Sequence, residues 1–532
     1  MRKNEGIQGR NGSMEEVKAG ILFQDGCVLQ REKEIPVWGE GPEGAQVVVS
    51  LAGNQAVCRV KDGRWKCTLP PMEAACGLAM TIACGGQTIA LQDISVGEVW
   101  IAGGQSNMEF FLCYDADWEP MKQAECNPQI HMFNVPRLAF PGHEKDVSEC
   151  GYWFREGDKA WPLFSAPGYS FARKLQPVLD VPVGIIGCNW GGTSASTWME
   201  EECLQEPPLD IYLEEYRAAV AGKDPELLKK ASVEAFASED SPERRADWAK
   251  VMYGLSLKEQ KEWQENQEPV PENPMGPYNV GRPGGLYHQM LERIIPFAAR
   301  GVLWYQGESD EGHAGIYDRL FETMIGCWRK SFCQDLTFLF VQLAPYGTWL
   351  GGTGEKYPEL RRRQEMVSER VPGVFMTSIM DLGMYEDIHP KRKKEVGERL
   401  ALLARGKVYK EAILCEPPAL RFAERQDQEI VLHFAHTGTG LWKKDKAPEA
   451  EPEAEIPSPL TGPRERKDGF LVIQGEKPVE IREVTLWGNE VILQTPSLSG
   501  EACTVSFAWV PYICAEIYNS AGLPMKPFSC EL

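Results

Sequence analysis

Between residues 96 and 408 short apolar runs alternate with segments of helical period, and this alternation limits the possible folds more than any other feature. Strand candidates are 96–102, 183–189, 300–305, 337–343 and 373–379. They are almost continuously apolar, as in Val183-Gly184-Ile185-Ile186-Gly187-Cys188-Asn189, which suits strands covered on both faces of a parallel sheet. Helical candidates fall at 169–179, 286–298, 313–330, 358–370 and 391–407. Such an alternation predicts an α/β fold with a parallel sheet, about one flavodoxin-like domain in size.

On either side the rhythm changes. Ile35-Pro36-Val37-Trp38-Gly39, Gln46 to Leu51 and Met80-Thr81-Ile82-Ala83 are short β runs separated by glycine and proline. Similar runs return at Glu429 to Phe434, Val484 to Trp487 and Thr504 to Trp509. The expected organisation is an N-terminal β-sandwich at 15–95, an α/β domain at 96–410 and a C-terminal β-rich, sandwich-like domain at 411–532. Residues 201–275 are highly charged, and prolines at 269, 271 and 274 prevent one long helix. They read as a helical insertion, solvated decoration rather than a lid, because loops tolerate added length. The acidic tract Lys446 to Glu455 reads as a mobile loop.

Composition excludes several classes of function. A net charge of −21 argues against a nucleic-acid partner, which needs a concentrated basic surface. Sixteen cysteines include no Cys-x-x-Cys pair, and no His-x-x-Glu-His spacing occurs, so neither a metal nor a cofactor is expected. Nothing approaches about 20 consecutive apolar residues, so no membrane span is expected. The polar start Met1-Arg2-Lys3-Asn4-Glu5-Gly6 lacks a secretory core, and a cytoplasmic protein with reduced thiols is the expectation.

The residues able to do chemistry lie at the ends of the predicted parallel strands. Gly103-Gly104-Gln105-Ser106-Asn107-Met108 follows the first, where open α/β sheets place their ligands. A serine there needs a base to become a nucleophile. Asn189-Trp190-Gly191-Gly192-Thr193 can present a backbone N–H to an oxyanion, or be an ordinary strand-to-helix turn. Gln306, in Trp304-Tyr305-Gln306-Gly307-Glu308-Ser309-Asp310, can donate to the same oxyanion or satisfy nearby backbone. His389, in Tyr385-Glu386-Asp387-Ile388-His389-Pro390, stands beside carboxylates ahead of the basic run Lys391 to Lys394. An imidazole there can take the serine proton and return it. His288 and His313 read as helix-surface residues.

Gly104-Gln105-Ser106-Asn107-Met108, Trp190-Gly191-Gly192-Thr193, Trp304-Tyr305-Gln306-Gly307-Glu308 and Asp387-Ile388-His389-Pro390 together resemble the sialate O-acetylesterase family, a branch of the SGNH hydrolases. Val28-Leu29-Gln30-Arg31 with Val37-Trp38-Gly39, and Ile517 to Pro524, resemble that family's opening β domain and closing segment. The resemblance implies a serine esterase in which Ser106 attacks an acetyl carbonyl and His389 is base, then acid. Asp387 would be the triad acid, with Glu386 as the alternative, and an oxyanion hole would come from Ser106, Gly191 and Gln306. Gln105, Asn107, Trp190 and Glu308 would contact substrate. The implied partner is O-acetylated sialic acid or a related acetylated sugar, with no cofactor. The same machinery would serve an acetylesterase for a plant polysaccharide such as xylan, and the β regions alone would suit a non-catalytic carbohydrate-binding protein.

Overall fold

The computed structural model describes residues 16–143, 150–239, 242–266, 271–444, 466–498 and 501–532; the tract 446–455 lies outside these. Everything is arranged around one long strand, Gln87–Gly104. Its second half is flanked in parallel by Val183–Asn189 on one side and Gly301–Tyr305 on the other. Ile130–Asn134 lies beyond the first neighbour, Thr337–Val341 and Val374–Thr377 beyond the second. The chain therefore winds away in both directions from the central strand, which leaves a crevice at its carboxyl end. Ile130–Asn134 and the antiparallel edge Trp153–Phe154 are not evident from the sequence alternation, because both are short and one carries a histidine.

The first half of the central strand pairs antiparallel with Ala75–Cys84, and Val28–Gln30 lies beside Ser95 to Gly97. Eleven strands thus make a single mixed sheet rather than a parallel sheet beside a separate sandwich. Residue 95 falls within a continuous strand, because no turn signal interrupts Ile94-Ser95-Val96. One apolar core runs from Val37 and Val49 through Trp100 and Ile101 to Leu339 and Leu400. Lys18–Ala19, Ile35–Glu40 and Arg64–Leu69 form a further three-stranded sheet against it.

Three crossover helices follow expectation closely: Ala166–Leu179, Tyr357–Arg370 and Lys393–Lys407. Ser165 caps the first by accepting the Gly168 N–H. The helix expected at 286–298 is instead one turn, Gly285–Gln289, and a 3₁₀ turn, Leu291–Arg293. Pro296 has no N–H and disfavours helical backbone before it. The 313–330 expectation divides into a 3₁₀ stretch, Glu308–Ile316, and the helix Tyr317–Phe332.

Towards the C-terminus two four-stranded antiparallel sheets enclose a second core around Ile430, Val472, Val491 and Phe507. Arg361, fully buried, joins them to the α/β part: its guanidinium donates to the carbonyls of Leu343, Ala344, Val510 and Pro511. Among the described residues no helix is long and apolar enough to cross a membrane.

Candidate active site

The central strand ends at Gly104, which has φ +136°. A side chain there would stand 2.2 Å from the Tyr305 carbonyl, so only glycine lets the strand end tuck against its neighbour. The chain then enters a single helical turn, Ser106–Glu109, that lifts Ser106 into the crevice. The Ser106 N–H is one of the donors that a helix start leaves without an intrahelical acceptor.

His389 reaches the same point from the loop before helix Lys393–Lys407. Its Nε2 lies 2.9 Å from Ser106 Oγ. Asp387 Oδ1 accepts the His389 backbone N–H at 2.7 Å and stands 3.6 Å from Nδ1, and Oδ2 pairs with Lys391 at 2.7 Å. Nδ1 has no hydrogen-bond partner, and at 3.6 Å the Asp387 oxygen stands just outside hydrogen-bond distance of it. Glu386, the alternative acid, is exposed, whereas Asp387 is buried.

Burial is the largest influence on His389 and draws its pKa below the ordinary 6.5, although Asp387 pulls upward. Burial works in the opposite sense on Asp387, but the adjoining His389 and Lys391 outweigh it and hold the carboxyl below its ordinary range. At neutral pH the site therefore holds a neutral imidazole beside an ionised carboxylate, the pairing a general base needs.

Gly191 faces Ser106 closely: a side chain at 191 would come within 3.2 Å of Ser106 Cβ. Its N–H donates to Glu109 Oε2 at 2.6 Å, so a carboxylate oxygen already occupies this position. The other Glu109 oxygen pairs with Arg137, whose guanidinium lies 5.6 Å from the Trp190 ring centroid. Gln306, expected to donate to an oxyanion, spends both amide protons elsewhere, on Thr193 O at 3.2 Å and Asp310 Oδ2 at 2.6 Å. The cause is Asp310, a buried carboxylate that draws in every donor nearby.

Three expected substrate contacts face inward instead. Gln105 accepts from the Ser309 N–H at 3.2 Å. Asn107, 1% exposed, donates to Glu308 at 2.5 Å and to Ile388 O at 3.0 Å. These contacts run between loops; Gln105 and Asn107 are buried, while Trp190 and Glu308 are half-buried.

The insertion is part of the site and not decoration. Its Tyr253 packs edge-on against the His389 ring with centroids 5.3 Å apart, and the Tyr253 carbonyl accepts from Lys391 at 2.6 Å. Trp349 closes the other side at 5.2 Å and donates its indole N–H to Gln260, another insertion residue. Phe236 meets Trp190 at 6.2 Å. Aromatic residues shielding the imidazole from water are what lowers its pKa.

Sequence reasoning did not pick out Glu109, Arg137, Tyr253, Trp349 or Lys393. Glu109 directly follows the serine motif and Lys393 lies in the basic run, so position offered a signal for those two. Nothing local marks Tyr253. His288 and His313 pair with surface carboxylates, Glu201 with Glu292 and Glu215 respectively.

The known proteins that this chain is similar to are carbohydrate esterases. A family model described as carbohydrate esterase, sialic acid-specific acetylesterase, matches residues 96–227 and 260–404, just over half the chain. A sialate O-acetylesterase of Mus musculus is 25% identical over 95% of this chain and 92% of its own. The Homo sapiens sialate O-acetylesterase is 23% identical over 74% and 72%. Among solved structures, a carbohydrate acetylesterase from Xanthomonas citri superposes with a TM-score of 0.71 at 26% identity, covering 97% of this chain and 99% of that one. The chain belongs to the sialic acid-specific acetylesterase family of carbohydrate esterases and is a carboxylic ester hydrolase.

Proposed function

We propose that this chain is a serine esterase that removes O-acetyl groups from sialic acid through an acetyl-enzyme on Ser106. The observation that carries the reading is the 2.9 Å contact between His389 Nε2 and Ser106 Oγ at the crevice beside the central strand. Neutral His389 takes the hydroxyl proton as Oγ attacks the acetyl carbon, and Asp387 stabilises the imidazolium formed. The oxyanion takes the Ser106 and Gly191 N–H groups, and for the latter it must displace the Glu109 oxygen. His389 returns the proton to the leaving sugar hydroxyl, and water, deprotonated by the same ring, releases acetate. The strand order supports a flavodoxin-like SGNH hydrolase domain over 96–410, and buried thiols such as Cys27 and Cys188 support a reducing, cytoplasmic setting.

Ser106→Ala tests the mechanism: hydrolysis of 4-nitrophenyl acetate should fall on the order of 10⁶-fold. Mass spectrometry of the parent during turnover should find one acetyl group on Ser106. Parent-like turnover in the variant would rule the reading out.

The sialic acid preference is supported by the relatives' activity and by Arg137, a cation at the rim suited to a sugar acid. Arg137→Gln should raise KM for acetylated sialic acid about 10- to 100-fold, the scale of one charged hydrogen bond, with little change for acetylated xylan. Equal effects on both substrates would count against a sugar acid.

A further inference from the structure

Beside the serine turn a lysine is enclosed in the fold. Lys393 is 0% exposed, although it belongs to the run Lys391 to Lys394, in which Arg392 and Lys394 reach outward and Lys391 turns to Asp387. Its Nζ donates to Asn107 Oδ1 at 2.5 Å. The ammonium stands 5.0 Å from the Phe110 ring centroid and 5.2 Å from that of Tyr305. Asn107 passes the contact on in two directions, to the buried Glu308 carboxylate and to the Ile388 carbonyl next to His389. Asn107 is also the residue after the nucleophile. One side chain therefore ties the serine turn, the loop after Gly301–Tyr305 and the histidine loop into a single unit.

A buried ammonium is costly unless its partners are good, and removing it would be expected to leave Glu308 uncompensated. Apolar packing would hold these loops together more cheaply, so the retained charge calls for a role. We infer that Lys393 is a positioning residue of the esterase reaction, holding Asn107 so that Ser106 and His389 stay in register. This deepens the proposed esterase reading and depends on it.

The charged and titratable groups around Lys393 are Glu308, Asp115, Asp387, Lys391 and Tyr305. Those facing His389 are Asp387, Lys391 and Lys393, with Ser106 and Tyr253 in contact. Burial brings the Lys393 pKa down to about 7. His389 titrates below 6.5, so Lys393 still carries its charge at the pH where His389 would take a proton. That charge opposes protonation and extends the active range towards acid.

The test compares kcat, KM and the pH profile of kcat/KM for the parent, Lys393→Met, Lys394→Met and Asn107→Asp, with 4-nitrophenyl acetate. Lys393→Met should lower kcat about tenfold at unchanged KM, the scale of one charged hydrogen bond. It should also move the acid limb about 0.5 or more to higher pH, since the repelling cation is gone. Lys394→Met makes the same change of net charge at an outward position and should match the parent. Asn107→Asp leaves the lysine in place but sets a carboxylate against it, and should move the limb the same way. Proton NMR of His389 in Ser106→Ala, with and without Lys393→Met, reads the same shift without turnover. A merely structural lysine would lower melting temperature and leave limb and ring titration where they were, which would overturn the inference. A Ser106→Ala protein that still turns over would instead overturn the esterase mechanism, so the two failures are distinguishable.

Discussion

Glu308 and Asp310 are separated by one residue, both carboxylates are buried, and burial raises the pKa of each, yet they are held in opposite ways. Asp310 is surrounded by neutral donors: the Ser194 and Tyr212 hydroxyls, the Ala195 N–H and the Gln306 amide. Glu308 has one amide, from Asn107, and a lysine beyond it. The first arrangement fastens the turn after Val183–Asn189 to the insertion through Tyr212. The second connects the nucleophile to its base. Neighbouring acids in one motif have thus divided into a brace for the fold and a support for the chemistry, and the division follows from which loops lie on each side of the strand end.

The sharpest test of this difference is Asp310→Ala. Three buried donors and the half-buried Ser194 hydroxyl would lose their acceptor, each buried one at about 1–3 kcal/mol, so a stability loss on the order of 3 kcal/mol or more is expected as a lowered melting temperature. Glu308→Gln should behave in the reverse manner. The fold should survive, because an amide can still accept from Asn107, but Lys393 loses its counter-charge and kcat should fall about 10- to 100-fold. If Glu308→Gln melts as early as Asp310→Ala while keeping parental kcat, the two acids do the same job.

A smaller effect concerns the insertion. Tyr253→Ala removes an edge-on ring worth about 0.5–1.5 kcal/mol and admits water to His389. The imidazole pKa should then rise towards 6.5, moving the acid limb of kcat/KM upward. Smaller still, and visible in the parent alone, is the position of that limb. His389 must be neutral to accept the serine proton, and its pKa is depressed by burial, so kcat/KM should hold through pH 6.5 and decline only below it. A parent profile already halved above pH 6.5 would show that the ring is more hydrated than the structure has it.

Much of this architecture was legible beforehand. The strands at 183–189, 301–305, 337–341 and 374–377 announce themselves as apolar runs, and the serine and histidine both follow turn signals at the ends of such segments. Other features were not legible. The insertion is so charged that it reads as a solvated surface, and Tyr253 and Gln260, which turn inward, carry no mark in the sequence. Gln306 has the right residue type at the right strand end for an oxyanion donor, but Asp310 four residues later claims its amide. Lys393 sits among three other basic residues, and no rule of composition says which of the four turns inward.

Local order along the chain settles where strands stop and which loops follow, because periodicity and turn chemistry act between residues close in sequence. It therefore placed Ser106, the pair Gly191-Gly192, Gln306 and His389 at the ends of the parallel strands. What each polar group bonds to was decided by packing between loops remote from one another in the chain. Asn107 meets Lys393, Gly191 meets Glu109, and His389 meets Tyr253 only once the sheet is assembled. A buried hydrogen bond depends on direction and distance to fractions of an ångström, and those are set by the whole fold rather than by the segment that carries the residue.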